Sequence, residues 1–153
     1  MRVGITATRQ GLAPLQAVRL YRVLKALKGT DPILAHGDCV GGDAQAHTIA
    51  RWLEYDIIVY PGNMDKLRAF CEGDVVKEPK RNLDRNKDIV EFCGVLIVLP
   101  NGFTEQIRSG TWSTFRYARS VKKPLVVIYP DGTEKRRGWE TLEELVALIG
   151  DEE

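Results

Sequence analysis

Apolar residues recur along this chain in two alternating rhythms. Arg2–Thr6 is a short β-rich run. From Ala13 to Lys28 the period lengthens, and Ala17, Leu20, Leu24 and Leu27 fall on one face of a helix. Gly29 ends that helix, because glycine accepts the left-handed conformation of a C-terminal cap. Pro32–His36 predicts a second strand. Asp43–Trp52 predicts a second helix, with Ala46, Ile49, Ala50 and Leu53 at helical spacing. Asp56–Tyr60 is a third strand, stopped by Pro61-Gly62. Met64–Lys80 is charged and broken by Gly73 and Pro79, with room for one short helix. Helical spacing resumes over Asn82–Cys93 through Asn86, Ile89, Val90 and Cys93. Val95–Leu99 is apolar throughout, as expected of a strand covered on both faces. Thr111–Ser120 predicts a helix and Pro124–Tyr129 a fifth strand. Thr141 and Glu144 form a capping-box pair that opens a last helix, with Leu142, Leu145, Val146 and Ile149 inward. Asp151-Glu152-Glu153 reads as a solvated tail.

This order, βαβαβ followed by an irregular piece and then αβαβα, predicts an α/β fold. The sheet would be doubly wound, mostly parallel and five-stranded, with helices on both faces. At 153 residues the chain suits a single domain over 1–153. In such a sheet the ligand crevice lies beyond the carboxyl ends of the strands, where the strand order reverses. Residues just after each strand are therefore the ones to search.

Composition narrows the partners. Lys and Arg total 22 against 21 Asp and Glu, so a net charge of +1 supplies no global field for nucleic acid. No apolar run reaches the ~18 residues of a membrane span. The chain enters its first strand without a signal-peptide pattern. Cys39, Cys71 and Cys93 lie far apart and are odd in number, which fits reduced thiols in the cytoplasm. No metal or cofactor is expected from their spacing, nor from His36 and His47. His47 reads as structural, while His36 ends a strand beside a loop and is placed to meet a ligand.

After the first strand, Thr8 and Arg9 suit anion contact or a plain turn. After the second, Gly37-Asp38-Cys39-Val40-Gly41-Gly42-Asp43 leads straight into a helix. Unpaired amides at a helix start attract phosphate, and glycines let the backbone approach it. The same segment suits a tight turn with Asp43 as helix N-cap. Arg81 and Arg85 sit four apart at a helix start, where a basic residue opposes the helix dipole unless an anion is near. Asn86 follows them. After the fourth strand, Pro100-Asn101-Gly102 opens a loop with Glu105 and Arg108. That loop ends in Ser109-Gly110-Thr111-Trp112-Ser113-Thr114, a second anion-facing helix start.

In joint order, Gly37-Asp38 with Gly41-Gly42-Asp43, then Arg85–Ile89, Val95–Pro100 and Ser109–Thr114, resemble the SLOG superfamily. This Rossmann-like group includes LOG and DprA/Smf proteins, and the likeness is to its small stand-alone members. The resemblance implies a nucleotide or nucleotide-derived ligand over the strand ends, contacted by Thr8, Arg9, Gly37, Asp38, Gly41, Gly42, Asp43, Arg81, Arg85, Asn86, Ser109, Gly110, Thr111 and Thr114. It implies a homodimer as well. Binding is the leading expectation, with Arg85 serving the ligand and contributing little to thermal stability. LOG-type enzymes release a base from a nucleoside 5′-monophosphate, and Arg85, Pro100, Gly110 and Thr111 match parts of their pattern. Two departures stand out. Asn101–Ser109 lengthens the loop, and Ser113-Thr114 occupies the place of the family glutamate. Hydrolysis would then need a displaced carboxylate: Glu105, acting with Arg85, or Asp38 or Asp43. DprA-type members bind single-stranded DNA, against which the near-neutral charge argues here.

Overall fold

A computed structural model describes residues 1–150; the acidic tail expected at 151–153 lies outside them. The chain runs β1 (Arg2–Ala7), α1 (Pro14–Leu27), β2 (Ile33–His36), α2 (Gly42–Trp52), β3 (Asp56–Val59), a 3-10 turn (Asp65–Leu67) and β4 (Val75–Val76). It continues through α3 (Asn82–Phe92), β5 (Val95–Leu99), α4 (Gly110–Ser120), β6 (Leu125–Ile128), β7 (Glu134–Arg137) and α5 (Leu142–Ile149).

The sheet has seven strands in the order β4-β3-β2-β1-β5-β6-β7, not the five expected. All neighbours are parallel except β6 and β7. The two extra strands sit at the edges. β4 contributes only Val75 and Val76, paired with Ile58 and Val59. β7 is Glu-Lys-Arg-Arg, folded back on β6 by the turn at Asp131-Gly132, where the Gly132 amide donates to Tyr129 O at 2.9 Å.

Strand alternation divides the core. Val95, Ile97 and Leu99 of β5 face one side, with Leu20, Leu24 and Leu27 of α1, Ile49 and Ala50 of α2 and Leu145 of α5. Leu96 and Val98 face the other, with Ile89 and Val90 of α3 and Trp112 and Phe115 of α4. Each such aliphatic side chain removed from water contributes about 1.5–3 kcal/mol. The α5 expectation is met in part. Leu145 is buried and Ile149 packs on the core, but Leu142 and Val146 are exposed. Thr141 Oγ caps the Glu144 amide at 3.1 Å, while the Glu144 carboxylate reaches the amide of Glu140 rather than that of Thr141.

The chain builds outward from β1 through β2 and β3 to β4, then returns to place β5 on the other side of β1. The reversal at β1 and β5 is the topological switch point. Among the described residues no helix is long and apolar enough to cross a membrane.

Candidate functional site

A cavity of about 490 Å³ opens at the switch point. Its walls come from the segment after β1 (Thr8, Arg9, Gln10), the loop after β2 (Gly37, Cys39, Val40, Asp43), the first turn of α3 (Asn82, Arg85, Asn86) and the β5–α4 loop with the start of α4 (Asn101, Gln106, Arg108, Ser109, Gly110, Thr111). The lining is dominated by amides, hydroxyls and three arginines. Among the described residues, Asp43 is its one carboxylate.

The glycine loop uses its glycines for packing. Gly41 has φ +87°, and a Cβ there would overlap the carbonyl oxygen of Arg9. Gly42 lies against Ala7 and Thr8, and its amide donates to Thr8 O at 2.8 Å. Gly41, not Asp43, occupies the N-cap position. Asp43 sits inside the first turn, where its Oδ2 accepts the amides of Gly37 at 3.1 Å and Cys39 at 3.2 Å. A carboxylate of the chain itself thus occupies the start of α2, where a bound anion had been expected. Asp38 is also turned away: its carboxylate accepts from Arg68 Nε and from the Cys71 amide, each at 2.8 Å. Asp38, Gly41 and Gly42 do not line the cavity.

Arg85 is only 4% exposed. Its Nη1 donates to the carbonyls of Gly37 and Tyr60, the latter at 3.0 Å, and its Nε donates to Asn86 Oδ1 at 2.7 Å. No ion pair among the described residues includes it. The guanidinium therefore ties the β2 and β3 ends to α3 and still leaves a positive charge at the cavity wall. Arg81 diverges from it: exposed, paired with Asp84 at 3.2 Å, and away from the cavity.

The start of α4 is more open. Ser109 caps it, accepting from the Trp112 amide at 3.3 Å. A Cβ placed on Gly110 would meet nothing within 4 Å. The first amides of a helix have no partner within it, so this turn presents donors and a partial positive charge. Thr114 is set into the helix, its hydroxyl donating to Gly110 O at 2.9 Å, and it does not reach the cavity. Trp112 is buried in an edge-to-face pair with Phe115. Sequence reasoning passed over Gln10, Asn82, Asn101 and Gln106, whose amides carry no motif, and left Arg108 out of the site although it directly precedes Ser109-Gly110-Thr111.

No family model matches the sequence, and no curated protein matches it at a significant level. Solved structures do share its fold. The molybdenum cofactor binding protein from the phototrophic bacterium Rippkaea orientalis superposes with a TM-score of 0.64 at 18% identity, over 97% of this chain and 83% of that one. DNA processing protein A from Streptococcus pneumoniae gives 0.61 at 16% identity, over 97% of this chain but only 54% of its own. The Helicobacter pylori DNA processing protein A, whose structure concerns its single-stranded DNA binding mode, gives 0.59 at 21% identity, over 83% and 64%. The chain shares the Rossmann-like fold of these proteins.

Within this fold the carboxylates expected to replace the LOG-type glutamate are differently placed. Glu105 lies outside the cavity, held by Arg116 and Arg119 at 3.4 Å each. His36 is fully buried and does not line the cavity either. His36, His47 and Cys71 bring ligand atoms within 4.8 Å of one another. The Asp38 amide donates to His36 Nδ1 at 2.9 Å, which puts the neutral ring's proton on Nε2, facing His47 Nδ1 at 2.9 Å. Neither His36 nitrogen keeps a lone pair for a cation: one accepts from the Asp38 amide and the other faces His47, while the Cys71 amide bonds to Asp38.

Two buried groups set opposing pH dependences. Burial, with the neighbouring His47, lowers the His36 pKa from 6.5 to about 3. Between those values the unfolded chain holds the extra proton, so His36 lowers stability as pH falls. Burial raises the Asp43 pKa from 3.8 to about 6, against the pull of Arg85 and two amides. There the folded chain holds the extra proton, so Asp43 adds stability as pH falls. The two offset each other from about pH 6 to about pH 4. In Asp43→Asn only the histidine dependence remains, and unfolding free energy should fall by about 1.4 kcal/mol per pH unit across that window. Urea unfolding at several pH values reads this; a variant that parallels the wild type refutes it.

Proposed function

We propose that the chain binds a phosphorylated small molecule of nucleotide type in the switch-point cavity. The observation that carries this reading is the charge arrangement. Arg9, Arg85 and Arg108 surround a cavity walled by amides and hydroxyls, beside the open first turn of α4. Phosphate rests on Ser109-Gly110-Thr111 with Arg108, and the heterocycle lies among Gln10, Asn82, Asn86 and Asn101. A phosphorylated pterin has the same combination of ring edge and anion, which is consistent with the shared fold of the Rippkaea orientalis protein.

Calorimetry with mono-, di-, tri- and cyclic nucleotides, NAD, ADP-ribose and a phosphorylated pterin tests the reading. Arg108 is exposed and absent from the ion pairs of the described residues, so Arg108→Ala should leave the melting temperature unchanged. It should weaken the ligand by about tenfold or more, the value of a charge-assisted hydrogen bond. No binding of any compound at millimolar concentration sinks the proposal. Tight, steeply salt-dependent binding of a single-stranded oligonucleotide in its place would move the assignment to nucleic acid.

A further inference from the structure

The cavity wall holds a buried acceptor that the protein leaves unused. Asp43 is 4% exposed. Its Oδ2 takes two loop amides, whereas its Oδ1 is buried and has no hydrogen-bond partner. A buried carboxylate oxygen without a donor is costly and calls for an explanation. It also lies on the β2 side of β1, while the open helix start at Ser109-Gly110-Thr111 lies on the β5 side. The two ends of the cavity therefore differ: one offers amide donors and no carboxylate, and the other holds the Asp43 carboxylate beside Arg85.

We propose that Asp43 Oδ1 selects ligands carrying a hydrogen-bond donor at the end away from the phosphate, so the Gly37–Asp43 loop reads a sugar hydroxyl or a ring amino group and not an anion. This rests on the proposed function and fixes the ligand's direction across β1. Burial raises the Asp43 pKa to about 6 against the pull of the neighbouring Arg85, so the carboxyl is ionised and accepting at neutral pH. Asparagine at this position is a near-isosteric reversal. Its carbonyl can still take the Gly37 and Cys39 amides, and its NH2 replaces the acceptor with a donor.

The test is calorimetry on wild type and Asp43→Asn with AMP, 2′,3′-dideoxy-AMP, purine riboside 5′-monophosphate and inorganic phosphate. In the wild type one of the two donor-deleted analogues should bind at least about tenfold more weakly than AMP, since a hydrogen bond to a charged group is lost. Loss with the dideoxy compound identifies a sugar hydroxyl; loss with the purine compound identifies a ring amino group. Asp43→Asn should erase that difference while binding phosphate no more weakly than the wild type does. If both analogues match AMP on the wild type, the donor reading is overturned and the phosphate site stands. A folded Asp43→Asn that keeps the discrimination overturns the donor reading as well. If neither AMP nor phosphate binds the wild type at millimolar concentration, the cavity assignment falls and the donor reading falls with it. The analogue comparison uses only wild-type protein, so it holds even if the variant does not fold.

Discussion

Arg85→Ala melts well below the wild type, by about 4–16 °C, and binds no nucleotide. The loss of stability is as much part of the expectation as the loss of binding. Arg85 satisfies the carbonyls of Gly37 and Tyr60, at the ends of β2 and β3. Removing it leaves these acceptors without their donor and opens a void where the guanidinium stood. Breaking a buried network of this kind costs about 2–4 kcal/mol, and in a chain of this length each kcal/mol moves the midpoint by about 2–4 °C. Lysine should not rescue it, because one ammonium on a flexible stem cannot reproduce a planar fork that reaches two carbonyls and Asn86 together. This replaces the sequence-based expectation that Arg85 serves the ligand alone. A melting temperature within about 2 °C of wild type would refute the tie between strands and helix.

Gly41→Ala is the second large effect, and Gly110→Ala is its control. The two glycines look alike in the sequence, each just before a helix. At Gly41 the backbone is at φ +87°, and a methyl group would strike the Arg9 carbonyl, a backbone atom fixed by the β1 segment. Backbone strain and overlap together should cost about 3 kcal/mol or more, and the start of α2 must shift away from β1. Asp43 would shift with it, so nucleotide affinity should fall as well. At Gly110 a methyl group meets nothing, and stability should stay within about 0.5 kcal/mol. Any change in affinity there reports on the ligand's approach to the backbone. Equal stability losses in the two variants would disprove the distinction.

Much of the fold was legible because the parallel strands are buried on both faces and carry their own signal. Val95–Leu99 is the plainest case: five apolar residues, all buried. The edge strands lacked that signal. Val75-Val76 is too short to show alternation, and its partner supplies the pairing. Glu134–Arg137 has no apolar residue; it is a strand because the Asp131-Gly132 turn returns it to β6. Asp-Gly is among the dipeptides that favour a hairpin, but no apolar run followed it to mark the returning strand.

The site divides in the same way. Thr8, Arg9, Gly37, Asp43, Arg85, Asn86, Ser109, Gly110 and Thr111 come together at the cavity. Asp38, Gly41, Gly42, Arg81, Thr114 and Glu105 do not. Glycines and acids before a helix look the same whether they meet a ligand or another part of the chain, and only packing separates them. Asp38 answers to Arg68, thirty residues away, through a segment with no readable period. Asn82 and Asn101, both lining the cavity, belong to no motif because a carboxamide serves a ligand and a turn equally well.

The unlike edges of the sheet bear on how two copies of this chain can meet. Exposed strand edges are natural templates for joining one sheet to another. Here one edge is two residues long, and the other presents Lys135, Arg136 and Arg137. The first offers too little backbone to pair, and the second sets mostly like charges against its own image. A continuous sheet across two molecules is disfavoured at both ends, which keeps the strand-end cavity outside the seam of a shared sheet.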